Sequence, residues 1–361
     1  MNLKSGCRQA IFLSTDFQKE GKTMQAIELQ APGGIDNLRL VERPMPEPGR
    51  QEMIIKVKAT ALNYRDVEIV RGSYHTAFAL PLVPLSDGVG EVVAVGAEGT
   101  RFKVGDRVCG TFWQRWVGGS FAMAEPSYQR GGPIDGLLSE FARLDEQAAV
   151  LAPPHLSDVE AATLPCAAVT AWHALFTEGQ LKPGETVLSL GTGGVSLFAV
   201  QFAAAAGARV IVTSSSDDKL TRAKALGAHD GINYRSDPDW ATAVLTLTGG
   251  RGVDHIIEVG GPQSFAQSLK ASARGAQINV IGYLGGSDGS INPLDIFRRQ
   301  VRARGIPVGS RESFEAMNRA LAVNLLRPTI DRVFPWTEAA AAFHHLEHGS
   351  PFGKVVLDHM Q

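Results

Sequence analysis

Residues 185–219 constrain the fold of this chain more than any other stretch. A strand-like run, Glu185-Thr186-Val187-Leu188-Ser189-Leu190, enters the turn Gly191-Thr192-Gly193-Gly194-Val195-Ser196, and a helix of small residues follows. Gly207 stands where that helix should be capped, and 209–213 reads as a second strand. Glycines at such a turn permit a sharp bend and a close backbone approach to a pyrophosphate, whose charge suits the free N–H groups of the helix N-terminus. The spacing G-x-G-x-x-G says little alone, but between a strand and a helix it points to dinucleotide binding. The third glycine position is Ser196, small enough to keep the helix close to the sheet.

The end of the second strand bears on which dinucleotide. A site for NADH wants a carboxylate about 20 residues past the turn, to hold the ribose 2′-OH. Here the strand runs out as Thr213-Ser214-Ser215-Ser216-Asp217-Asp218-Lys219. Hydroxyls and an ammonium suit a 2′-phosphate, which a carboxylate would repel. Asp217 or Asp218 could reach the ribose, but serine followed by two acids also marks the start of a helix. NADPH is therefore expected ahead of NADH.

At 361 residues the chain suits two domains. A net charge of −2 gives nucleic acid no electrostatic support. Three scattered cysteines, Cys7, Cys109 and Cys166, fit a reducing cytoplasm and make no disulfide framework. No apolar run reaches the ~18 residues of a membrane span. Residues 1–23 read as a leader or mobile tail, and Met24 could be the true start. Short β-branched runs broken by glycine and proline fill 24–165, which implies a barrel-like β domain. Strand and helix alternate over 166–304, which implies a parallel sheet. A short strand at 305–309, an amphipathic helix and a closing strand complete 305–361. The long insert 113–136 reads as a loop over a site.

Several further runs stand in register with these: Ala61-Leu62-Asn63-Tyr64-Arg65-Asp66, Gly90-Glu91-Val92-Val93-Ala94-Val95-Gly96, Val104-Gly105-Asp106-Arg107-Val108, Leu164-Pro165-Cys166-Ala167-Ala168-Val169-Thr170-Ala171-Trp172, and Gly353-Lys354-Val355-Val356. From Met24 almost to Gln361 the chain resembles the medium-chain dehydrogenase/reductase superfamily, in its zinc-independent, quinone-oxidoreductase-like branch. The resemblance implies an α/β protein: a GroES-like β-barrel catalytic domain interrupted by a Rossmann doubly wound parallel-sheet domain, with the active site between them. It also implies a homodimer joined through the edge strand near 306–308.

Zinc alcohol dehydrogenases of this superfamily hold their metal with a Cys, a His and a second Cys. Those positions carry Asn63, Ser86 and Cys166 here, so no zinc is expected, and Cys166 should be a buried small apolar residue. Their hydroxyl relay position holds Arg65. Hydride transfer from NADPH then depends on hydrogen bonds and positioning, which suits quinones and α,β-unsaturated carbonyls. Tyr64 and Asn63 are the implied catalytic residues. Tyr64 either protonates the nascent oxyanion or packs beside the nicotinamide, and Asn63 bonds the cofactor ribose or a substrate oxygen. Asp66 is expected to be structural.

For the cofactor, the resemblance implies Thr170 near the nicotinamide, and Gly191, Gly193, Gly194 and Val195 at the phosphates. Ser215, Lys219 and Tyr234 are implied at the 2′-phosphate, although Lys219 could be a solvated helix residue and Tyr234 a surface aromatic. Ile281, Gly282 and Tyr283, with Phe352 and Lys354, close the remaining wall. Trp113, Trp116 and Tyr74 are expected to line the pocket for a small-molecule substrate. Two rival functions remain: a zinc-free alcohol dehydrogenase or ketone reductase, and a non-catalytic NADPH-binding redox sensor. His344 and His348 have a metal-binding i, i+4 spacing but no evident third ligand, and read as a solvated helix face.

Overall fold

The computed structural model describes residues 12–13, 21–121, 126–286 and 288–361. Most of the expected leader lies outside them; of it, Phe12–Leu13 pairs antiparallel with Val95 and Ala94. Contacts divide the chain into two units, one of Met1–Pro165, Arg332–Gly349 and Val355–Gln361, the other of Cys166–Asp331 and Ser350–Lys354. Residues 305–331, expected with the returning segment, cluster instead with the second unit.

The first unit is built on the strand Glu52–Ala61, which pairs antiparallel with Asp87–Val95 along its length. Its other edge is shared by Phe141–Asp145 and by the returning strand Lys354–Asp358. Side chains alternate across a strand, so Met53, Ile55 and Val57 enter one core with Val92, Val108 and Leu144 while Ile54 enters another with Val93 and Phe141. The polar side chains buried in these strands have partners: Thr60 Oγ1 lies 3.1 Å from His359 Nε2, and Asp87 Oδ1 accepts from Ser86 Oγ.

One buried carboxylate fastens this unit's turns. Glu146 accepts hydrogen bonds from the N–H groups of Thr100 (2.7 Å) and Arg101 (2.9 Å). Burial works to raise its pKa, but these donors win and hold it below the usual carboxylate value. A depressed folded-state pKa gives stability that is present above the unfolded-state value and lost as pH falls through the folded one. Glu146→Gln should therefore cost about 1–2 kcal/mol at pH 7. Denaturant titrations should show that gap narrowing as pH falls below the ordinary glutamate value of about 4.3 and closing through the lower folded-state one, where the wild-type carboxylate is protonated as well. A gap independent of pH would show that the charge is not what matters.

The second unit is a six-stranded parallel sheet in the order Asp230–Asn233, Arg209–Ser214, Thr186–Leu190, Val253–Glu258, Ser272–Val280, Arg302–Gly305. The chain works outward from Thr186–Leu190 to one edge, then returns to its other side and works outward again. Ligands of such sheets bind at the carboxyl ends of the strands where the order reverses, here directly after Thr186–Leu190. All five residues of that strand are buried, as both-faced cover demands. The helix Gly194–Ala205 is buried over most of its surface, including Phe198, Ala199 and Val200, which explains its small residues. It ends where Gly207 takes a left-handed φ of 78°.

The edge strand lies earlier than the sequence suggested. It is Arg302–Gly305, exposed at all four residues, while Ile306 and Val308 beyond it are buried. The apolar residues that imitate a strand at 305–309 are core contacts.

Candidate functional site

In the second unit, the glycine turn is fixed from several sides. Gly191 takes a φ of 75°, its N–H donates to Thr213 Oγ1 at 3.3 Å, and Ser196 Oγ donates to Leu190 O at 2.7 Å. Gly193 is the N-cap of the helix Gly194–Ala205, with no capping side chain and no acid in the first turn. The next helix, Asp217–Ala225, is the opposite case: Ser216 caps it, accepting from the Lys219 N–H, and Asp217 and Asp218 occupy its first turn. Bare N–H groups with the positive end of the helix dipole at a reversal of strand order fit a pyrophosphate. A dinucleotide therefore fits here, and the backbone of Gly193, Gly194 and Val195 could hold its phosphates.

Of the implied 2′-phosphate residues, Ser215 and Tyr234 follow the carboxyl ends of neighbouring strands, and Lys219 lies in the first turn of the helix Asp217–Ala225. Ser215 follows Arg209–Ser214, and the Tyr234 N–H donates to Ser214 O at 3.0 Å. Tyr234 is 42% exposed, so its ring is open to a ligand rather than part of the core. Asp217 Oδ1 accepts from the Asn233 side chain at 2.9 Å, a role within the helix start that sequence reasoning left open. Lys219 Nζ donates to Ser350 O, which ties it to the C-terminal return. An ammonium has three donors, so this bond does not exhaust it.

That return, Ser350–Lys354, runs along the glycine turn, as implied for Phe352 and Lys354. Gly353 bridges to Gly193, and its N–H donates to Thr192 O at 3.1 Å. A Cβ on Gly194 would sit 2.7 Å from Lys354 Cδ, so this glycine makes room for the buried lysine. Phe352 is buried with the Arg222 guanidinium 3.9 Å over its ring.

Ile281, Gly282 and Tyr283 follow the strand Ser272–Val280. Ile281 N–H donates to Glu258 O at 2.8 Å, and Tyr283 is 43% exposed. Thr170 is buried, and its hydroxyl donates back to Cys166 O at 2.7 Å. Cys166 is only half-buried, against the expectation of a core residue; it lies within the helical segment Leu164–Ala168, which leads into the helix Val169–Trp172 that carries Thr170.

Sequence reasoning passed over Glu258. Its carboxylate, fully buried, accepts from Gly260 N–H (2.8 Å), Gly261 N–H (3.3 Å), Ser264 Oγ (2.6 Å) and Ser268 Oγ (2.5 Å). It thereby sets the 259–261 turn at the end of its strand and the start of the helix Pro262–Ala271. An acid ending a buried strand before Gly-Gly-Pro was the available signal.

In the first unit, Asn63 and Tyr64 open the helix Tyr64–Arg71. Asp66, fully buried, accepts the Asn63 N–H at 2.7 Å and so secures the helix start. Tyr64 is 40% exposed. Arg65 is buried, donates to Arg130 O (3.1 Å) and Gly132 O (2.8 Å), and stacks over Tyr74 and Phe112. It clamps the far half of the long loop, and Tyr74 helps through a 2.7 Å bond to Gln129. Trp113 and Trp116 are buried edge-on against Phe121, so their rings fill the loop's own interior, contrary to the expected pocket wall. Residues 122–125 of this loop lie outside the described residues.

At the positions that the resemblance gives for zinc ligands, the first unit offers the Asn63 amide and the Ser86 hydroxyl, and the second unit the Cys166 thiol. Ser86 is fully buried and spends its hydroxyl proton on Asp87 Oδ1 at 2.7 Å. Zinc favours thiolate, imidazole and carboxylate, three of them in a catalytic site, and this set does not fit it.

Two family models match the chain, "Alcohol dehydrogenase GroES-like domain" over 49–154 and "Zinc-binding dehydrogenase" over 194–322. A zinc-type alcohol dehydrogenase-like protein of Schizosaccharomyces pombe is 43% identical over 334 residues, which is 90% of this chain and 96% of that protein. The chain belongs to the medium-chain dehydrogenase/reductase superfamily. It is an oxidoreductase with a GroES-like domain and a Rossmann-type domain, and its superfamily uses nicotinamide cofactors. The solved structure of a quinone oxidoreductase of Pseudomonas syringae matches with a TM-score of 0.79 and 30% identity, covering 93% of this chain and 99% of that one. Another, of an NAD-dependent alcohol dehydrogenase, gives 0.84 and 35%, covering 93% and 99%. Among the described residues, no helix is long and apolar enough to cross a membrane.

Proposed function

We propose that this dehydrogenase/reductase transfers hydride from NADPH to a quinone or an α,β-unsaturated carbonyl without a catalytic metal. The carrying observation is the donor set Asn63, Ser86 and Cys166, which suits no zinc ion. Without a Lewis acid, an acceptor that spreads charge over a conjugated system is the easiest to reduce. Bound NADPH would supply the hydride. The uncapped helix at Gly193–Val195 holds the pyrophosphate, and Ser215, Lys219 and Tyr234 hold the 2′-phosphate. In this reading Tyr64, which is 40% exposed, gives a proton to the enolate or phenolate oxygen, and Asn63 orients the acceptor or the ribose.

Assays of NADPH consumption against quinones, enones, aldehydes and simple ketones test this reading. Turnover confined to simple ketones and aldehydes would favour the zinc-free alcohol dehydrogenase or ketone reductase. Binding without turnover of any acceptor would favour a redox sensor.

Lys219→Ala should weaken NADPH binding tenfold or more, the loss of about 1.5–3 kcal/mol expected for a hydrogen bond to a charged group, and leave NADH nearly unchanged. An equal loss for both cofactors would mean that its bond to Ser350, and not a phosphate, is what matters.

The reading extends to a homodimer in a reducing compartment such as the cytoplasm, acting on a small molecule and neither nucleic acid nor membrane. The exposed edge Arg302–Gly305 follows a run of exposed apolar side chains, Leu284, Ile291, Leu294 and Phe297, which a second copy pairing there would cover. A monomer mass in solution would count against it.

A further inference from the structure

Among the described residues, ligand atoms of three metal-binding side chains converge at a single place, His344, Glu347 and His348, all within 4.8 Å of one another. They lie in the last turns of the helix Ala339–His348, in the first unit. The two imidazoles stand one helical turn apart with ring planes 17° from parallel, as i, i+4 spacing requires. The third ligand, not evident in the sequence, is supplied by the way Glu347 is held. Its Oε1 takes Arg71 Nε at 2.7 Å, while Oε2 is turned to His348 Nε2 at 2.9 Å. The arginine thus fixes the carboxylate from behind and leaves one oxygen facing the histidine pair, the kind of outer partner that orients a metal ligand. The helix C-terminus adds partial negative charge.

We propose that His344, Glu347 and His348 bind one zinc ion, or another transition ion of similar preference, at a surface site separate from the hydride-transfer residues. Two imidazoles and a carboxylate are a recognised zinc donor set, with water completing the tetrahedron. One carboxylate oxygen is too few for calcium, and imidazole selects against magnesium. Binding replaces the Glu347–His348 hydrogen bond with metal bonds and keeps the Arg71 pair. Arg71 ends the helix Tyr64–Arg71, so an occupied site braces that helix against Ala339–His348.

The test uses tag-free full-length protein, stripped with a chelator and titrated with Zn²⁺ against a chromophoric zinc indicator near neutral pH. One equivalent should bind per chain, at least tenfold more weakly in His344→Ala or His348→Ala, with no saturable uptake left in the double variant. His345→Ala, whose ring packs on Phe334, should bind as wild type does. Zinc should raise the melting temperature of the wild type and not that of the double variant. Both histidines are exposed, so their loss should leave the fold intact, which unchanged melting without zinc confirms. No saturable uptake by the wild type, or uptake that survives the double substitution, overturns the proposal.

Discussion

Gly353→Ala should unfold the second unit's cofactor region more than any other single methyl added near it. Gly353 has a φ of 99°, which an L-residue adopts only with strain, and its new Cβ would lie 2.2 Å from the Thr329 carbonyl oxygen. Backbone blocks the methyl, so no side-chain rotation relieves it. The strain and the forced shift together should cost about 3 kcal/mol or more, a fall of roughly 6–12 °C in melting temperature for a domain of this size. Because Gly353 bridges to Gly193 and bonds Thr192, the displaced return should also loosen the phosphate turn and weaken NADPH and NADH alike. Thermal melts and cofactor titrations check both effects. A variant with wild-type melting and affinity would mean that the C-terminal return does not shape the turn.

Glu258→Ala should be of similar size for a different reason. Removing this carboxylate leaves two N–H groups and the Ser268 hydroxyl without their acceptor in a buried pocket, while Ser264 Oγ can turn to Gly261 O at 3.0 Å. Unsatisfied buried donors cost about 1–3 kcal/mol each, and water entering the space left would recover part, so a net loss of about 3–5 kcal/mol is expected. The turn it holds is also bonded by Leu284 and Gly285 N–H groups, at 3.0 and 2.8 Å. The Ile281–Tyr283 segment should therefore move with it, raising KM for the cofactor. Glu258→Gln keeps the shape and one acceptor oxygen and should recover roughly half of the stability. If alanine proves as stable as glutamate in denaturant titrations, the carboxylate is not the anchor the geometry indicates.

Much of the frame was legible because it rests on local chemistry. Glycines that need unusual φ values, a serine cap before two acids and buried apolar strands each announce themselves within a few residues. Thus the strand, turn and helix from Thr186 to Ala205 and the start of Asp217–Ala225 lie where expected. What escaped depends on partners distant in sequence. Ile306 and Val308 look like strand residues until the core they enter is known. Trp113 and Trp116 look like a pocket wall until Phe121 is found between them. The Lys219 bond to Ser350 spans 131 residues, and the hold of Arg71 on Glu347 spans 276. No periodicity encodes such pairings, and they decide whether a charged side chain is free for a ligand or committed to the fold.

The central claim is that hydride moves here through an organic cofactor alone. The most direct measurement uses the His344→Ala, His348→Ala double variant, which removes the two histidines of the proposed surface zinc site. NADPH oxidation by a quinone and by an enone is followed before and after exhaustive chelation, with metal content measured on the same samples. The same rate in both, with no bound metal, is the expected result. Activity that disappears on chelation and returns with stoichiometric zinc would contradict the claim.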